Sequence, residues 1–162
     1  MSDKVEGAKM QEEYELEYVG FWARFGATLV DGILECLITF PILTFFYGSD
    51  YWISEDFIAG PVDFVMSYVF PPVAVILFWC LKQATPGKML LSAKIVDAKN
   101  GKAPTTGQLV LRYFAYFISI IPLCLGFVWV AFDSKKQGWH DKIAGTVVVR
   151  PRKHTEDVKF EK

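Results

Sequence analysis

Three long apolar blocks constrain this chain more than any other feature, running from about Phe21 to Phe46, Phe64 to Leu81 and Leu109 to Phe132. Each meets or nearly meets the roughly 20 residues that a helix needs to cross hydrocarbon, allowing for tilt. A soluble fold would have to bury three mostly apolar helices in one small domain. It would also leave the aromatic residues at the block edges unexplained: Tyr18, Trp22, Tyr51, Trp52, Tyr113 and Trp139 fall where the aromatic belts of a membrane protein lie. The blocks predict an all-α membrane protein, a small polytopic helical bundle in contact with the lipid bilayer. The stretch before the first block is acidic, with Asp3, Glu6, Glu12, Glu13, Glu15 and Glu17 against Lys4 and Lys9. That flank and the length of the run argue against a cleaved signal.

Charge in the connections predicts how the spans are oriented. Tyr47 to Gly60 holds Asp50, Glu55 and Asp56 but no Lys or Arg, whereas Lys82 to Thr105 holds Lys82, Lys88, Lys94, Lys99 and Lys102 against Asp97 alone. The positive-inside rule makes the first connection external and the second cytoplasmic. The tail is basic too, including Lys135, Lys136, Lys142, Arg150, Arg152 and Lys153, so both termini are expected in the cytoplasm at a cell membrane. Three full crossings would separate the tail from the Lys-rich loop. The breaker IIPLCLG, with Pro122 and Gly126, and Arg112 one turn inside the run favour a third block that is broken or re-entrant, with one straight span as the alternative. Pro71 and Pro72 should kink the second block.

The loop 82–105 carries LSAKIVDAKNGKAP, which reads as a strand, an Asn100-Gly101 turn and a short return, a minor cytoplasmic β-hairpin. GTVVVR, Gly145 to Arg150, is a further β-rich run able to pair with it, since a hairpin alone is marginal. The chain divides into an acidic mobile arm (1–17), a transmembrane domain (18–150) and a polar tail (151–162).

One face of the first block is polar. Arg24, Thr28, Asp31, Glu35 and Thr39 recur at spacings that keep them within roughly an 80° stripe of helix. Ionisable groups at bilayer depth cost about 2.5 to 3.5 kcal/mol each on insertion scales, so they face a protein partner or a wet cavity and mark functional sites. Arg24, near the helix start, either snorkels to headgroups or pairs across helices. Asp31 and Glu35 repel at i and i+4, which disfavours ionising both or calls for a cation: Arg112, a metal ion, with monovalent cations as the expected partners, or a proton. The second candidate region is FDSKKQGWHDKIAGT, with Asp133, His140 and Asp141. An interfacial amphipathic segment accounts for its Trp139 and lysines but not for Asp141, which needs a basic partner such as Arg24 or Arg112. His140 beside Asp141 has the chemistry of a proton relay.

Cys36, Cys80 and Cys124 lie one per block without metal or disulfide spacing. The GK of ATPGKM lacks the upstream glycine and following Ser/Thr of a phosphate loop. Neither a cofactor, a metal centre, an enzyme's nucleophile nor a nucleic-acid partner is expected.

ARFGATLVDGIL, ATPGKMLLSAKIVDAKNGKAPT, LRYFAYFISIIPLCLGFVWVAFD and GWHDKIAGTVVV, in that order, closely resemble the RDD family of integral membrane proteins. The resemblance covers about Val19 to Arg150, and the family's defining arginine and two aspartates fall on Arg24, Asp31 and Asp141. It implies membrane location, and cation/proton antiport in some members. The leading expectation is a small cation/proton exchanger using Asp31, helped by Glu35. Three blocks cannot enclose a pathway alone, so this requires a homo-oligomer or larger membrane complex, with Gly20, Ala23 and Ala27 as a small-residue contact. The alternative is a non-catalytic scaffold or accessory subunit in which Arg24, Asp31 and Asp141 form a buried polar lock.

Overall fold

The structure, a computed structural model, describes residues 15–152; most of the acidic arm, and the tail from Lys153, lie outside the described residues. Helix α1 (Phe21–Tyr47) is about 40 Å long at ~1.5 Å per residue, enough to cross the bilayer. A 3₁₀ turn at Ser49–Ile53 leads through the acidic connection to α2 (Pro61–Phe64), a π turn at Val65–Val69, α3 (Phe70–Lys82) and α4 (Pro86–Leu90). From Pro61 to Leu90 these pieces make a second apolar helix long enough to span. Pro71 and Pro72 sit in the first turn of α3, directly after the π turn. The ladder widens locally rather than breaking there.

The third block is broken. Helix α5 (Thr106–Ile120) and the segment Leu125–Ala131, which contains α6 (Leu125–Val128), meet at 113°. Leu123 and Cys124, both with φ above +50°, form the corner. Helix α7 (Trp139–Ala144) then packs back along α5.

Three strands close one end: β1 (Leu16–Tyr18), β2 (Lys94–Asp97) and β3 (Thr146–Pro151), in the order β1-β3-β2, all antiparallel. Two expectations change here. Leu16 and Glu17, assigned to the mobile arm, pair with Pro151 and Arg150, and Glu17 and Glu15 bind Arg150 and Arg152. The return segment after Asn100-Gly101 is not a strand. The turn forms, with Gly101 at φ +69°, but β2 takes β3 as its partner, Lys94 opposite Val149 through Asp97 opposite Thr146, because a longer run offers more backbone partners.

The sheet fixes the topology of the bundle. Strand β1 feeds α1, β2 follows α4 and precedes α5, and β3 follows α7. The third block therefore enters and leaves at the sheet end, while the acidic connection lies at the other. The core sits where sheet meets helices, with Val19, Trp79, Ala93, Ile95, Leu109 and Val148 buried together. Most other large apolar side chains of the helices point outward, as contact with lipid requires.

Candidate functional site: a buried charge network at the sheet end

Helix α7 is capped by Gly138, whose N–H donates to Asp141 Oδ2 at 3.0 Å. A carboxylate three residues into a helix commonly reaches back in this way, and here it aims Asp141 into the bundle, where it is fully buried. Arg24, in the first turn of α1, donates to Asp141 Oδ2 at 2.5 Å, to Val19 O at 2.8 Å and to Lys136 O at 2.6 Å. It is thus a buried tie between the first helix and the last loop and does not snorkel. Arg112, on α5, pairs with the other oxygen of Asp141 and donates to Thr146 Oγ1 at 2.7 Å. One carboxylate therefore joins α1, α5 and α7, and Thr146 extends the network to β3. Burial alone would raise the Asp141 pKa; Arg112 and then Arg24 reverse that and hold it far below the usual carboxylate range.

His140 is wedged between Tyr116, which it meets edge-to-face, and Phe127, to which it is tilted, with ring centroids 4.4 and 4.9 Å away. Burial, reinforced by the neighbouring cations against the opposing pull of Asp141, lowers its pKa to about 3, so the imidazole is neutral at ordinary pH. Its Nδ1 is 3.3 Å from Ser119 Oγ and its Nε2 is 3.6 Å from Asp141 Oδ2. The order Ser–His–Asp is that of a nucleophilic relay, but Ser119 is fully buried and donates to Ala115 O. A Cβ at Gly126 would lie 2.7 Å from that of Ser119, and one at Gly138 would lie 2.6 Å from the imidazole. The three residues are packed shut, and this arrangement is how α6 and α7 seat on α5. Asp133 does not join the network; it pairs with Lys142 and accepts from the N–H groups of Lys135 and Gln137, both at 3.1 Å. Burial opposes its ionisation, and Lys142 outweighs that to leave its pKa lowered.

Asp31 lies farther along α1 and meets neither Arg24 nor Arg112. It accepts from Thr85 Oγ1 at 2.5 Å and from Gly87 N–H at 2.7 Å, the cap residue and second residue of α4. Helix α4 rests directly on α1, and of the small residues Gly20, Ala23 and Ala27 two pack inside the protomer: Ala27 is buried under Gly87 and Ala23 lies against the core, while a Cβ at Gly20 would meet nothing within 4 Å. Glu35 is exposed and makes no ion pair among the described residues. It joins Asp31 in lining a cavity of about 110 Å³ whose other walls include Phe70, Pro71, Val75 and Phe78. Arg112 belongs to Asp141, not to this pair.

Sequence reasoning missed Lys88, Trp79, Tyr116 and Ser119. Lys88, one of the five lysines that mark the 82–105 connection as cytoplasmic, is only 7% exposed, with its ammonium 5.4 Å from the Trp79 ring centroid. At the acidic end Asp63 is also buried, accepting from Tyr51 OH at 2.7 Å, Ser67 Oγ at 2.8 Å and Ala59 N–H at 2.9 Å. It fastens the acidic connection to the second helix.

Among known proteins, residues 18–145 match the RDD family. An uncharacterised protein of Bacillus subtilis (strain 168), YxaI, is 34% identical over 80% of this chain and 95% of its own length. The uncharacterised membrane protein YteJ of the same organism is 26% identical over 91% of this chain and 90% of its own. An uncharacterised protein of Rickettsia prowazekii (strain Madrid E) is 47% identical over 46% of this chain, a match spanning 41% of that relative. No solved structure matches.

Proposed function

The chain belongs to the RDD family, and from that premise we propose that it acts as a non-catalytic membrane scaffold or accessory subunit built around a buried charge lock. The observation carrying this reading is that all three family residues are held by fixed partners: Arg24 and Asp141 by each other, Asp141 also by Arg112, and Asp31 by the start of α4. A carboxylate held between two guanidiniums does not cycle between protonation states. Its use is to specify one arrangement of helices. The Lys-rich sheet end faces the cytoplasm on charge grounds, and the exposed apolar helices meet lipid and the membrane segments of a partner or a second copy.

A second reading, cation/proton exchange, is favoured by the cavity that Asp31 and Glu35 line beside the π turn. Asp31→Asn separates the two. The amide keeps the shape of the side chain but leaves one of the two donors facing an NH2 group instead of an acceptor oxygen, and it cannot cycle a proton. As a lock, the variant melts lower, and wild-type protein in sealed vesicles moves neither sodium nor potassium against protons across the neutral pH range. As an exchanger, wild type moves one of these ions, and the variant stays fully folded yet loses the flux. That second outcome overturns the scaffold reading.

A further inference from the structure

The buried network has more positive charge than it uses. Arg24, Lys88 and Arg112 are all more than nine-tenths buried at the sheet end, and Asp141 is the one carboxylate paired with any of them among the described residues. His140 contributes no charge. Lys88 has no carboxylate within ion-pair distance; its ammonium lies over Trp79, whose other close cation is Arg112, with its guanidinium carbon 5.4 Å from the same ring centroid. Two more donors here lack acceptors: Trp79 Nε1 and Arg112 Nε are buried and find no protein oxygen. Buried donors without protein acceptors are rare in native proteins and call for a partner such as water or an anion, and an unpaired buried cation is among the costliest groups to leave uncompensated.

The position indicates what compensates it. Arg24 is in the first turn of α1, Lys88 near the end of the second spanning helix and Arg112 in the second turn of α5. All three are therefore near helix ends on the Lys-rich side, the end that its charge directs toward anionic headgroups. Arg24 and Lys88 keep a small exposed fraction, which gives an anion a way in, and exposed Lys82 and Lys135 raise its local concentration. Ammonium and guanidinium donors together suit the several oxygens of a phosphate group.

We propose that Lys88, with its neighbouring donors, binds a phosphate group, supplied either by an acidic phospholipid headgroup or by free phosphate, and that this ligand neutralises the excess charge of the lock. The site differs from the Asp31/Glu35 cavity and does not depend on whether that cavity exchanges ions.

The test uses the purified full chain. Its melting temperature is measured in detergent with and without inorganic phosphate, against sulfate-free chloride of equal ionic strength, and in nanodiscs of phosphatidylglycerol or phosphatidylcholine. Binding to the folded state raises the melting temperature with ligand concentration. A rise with inorganic phosphate identifies the free anion as sufficient, and a rise in phosphatidylglycerol alone identifies the lipid headgroup. Either rise should be retained in Lys88→Arg and lost in Lys88→Gln. Because Lys88→Gln could also fail to fold, the lysine ammonium resonances of wild type are followed in parallel, and one of them, assigned to Lys88 by its retention in all other lysine variants, should shift with the same ligand. No rise with either source, a rise that persists in Lys88→Gln, or a Lys88 resonance that is that of a neutral amine and does not move, overturns the proposal.

Discussion

Gly87 seats α4 on α1 so closely that a Cβ there would lie 2.1 Å from Ala27 O and 3.0 Å from the Asp31 carboxyl carbon. Both obstacles are poorly able to yield, one being backbone and the other held by two hydrogen bonds. Gly87→Ala should therefore lower the unfolding free energy by about 1 to 3 kcal/mol, the range of overpacking, read as a lower melting temperature in detergent; no change would mean that α4 is not seated there. His140 gives a pH dependence of stated sign. Its pKa is about 3 when folded against about 6.5 unfolded, so the unfolded chain binds the extra proton as pH falls. Stability from this group is complete above about pH 6.5 and declines by about 1.4 kcal/mol per pH unit below it. Wild type should lose more stability than His140→Gln between about pH 6.5 and 5, and parallel curves would show that the imidazole is not buried neutral. At this scale the charges of the site were legible and their pairing was not. An Arg or Asp in an apolar run is conspicuous because of its insertion cost, but that both arginines converge on Asp141 depends on contacts between residues as far apart as Arg24 and Asp141. Lys88 was hidden by its neighbours, since five lysines in one loop read as a topology signal.

The break in the third block tests the account at the level of an element. Pro122 and Gly126 mark it in the sequence, and the natural expectation is that glycine takes the left-handed position. Instead Leu123 and Cys124 have φ of 53° and 62°, while Gly126 is kept free to approach Ser119. A left-handed conformation costs an L residue roughly 1 to 2 kcal/mol, so Cys124→Gly should raise stability by about 1 kcal/mol, seen as a higher melting temperature with unchanged helix content. A lower one would mean that the Cys124 side chain does more than its exposed position suggests. The second block shows the opposite limit of sequence reading: two prolines announce a disturbance, but that the ladder widens into a π turn just before them depends on how the neighbouring helices pack.

For the whole molecule, the sheet brings the start of α1, the exit from the second spanning helix and the end of α7 to one place. GTVVVR was legible as a strand from its β-branched run. Leu16–Tyr18 was not, because three residues in an acidic stretch carry no periodic signal and become a strand only when β3 offers its edge. The arrangement predicts that a reporter fused after Arg150 is cytoplasmic, and that one inserted between Tyr47 and Gly60 is external. Reporters on opposite sides at Arg150 and in the 99–102 turn would contradict the shared sheet. The central claim is that a charge contact between the first helix and the last holds this bundle together, and a double-mutant cycle on Arg24 and Asp141 tests it most directly. Asp141→Ala leaves two buried guanidiniums unpaired and should cost about 3 to 5 kcal/mol. Adding Arg24→Ala removes one of them, so the double variant should be more stable than the sum of the two single losses by about 1 to 3 kcal/mol. Strictly additive losses in the purified protein would mean that Arg24 and Asp141 act independently, and that the lock does not hold the fold.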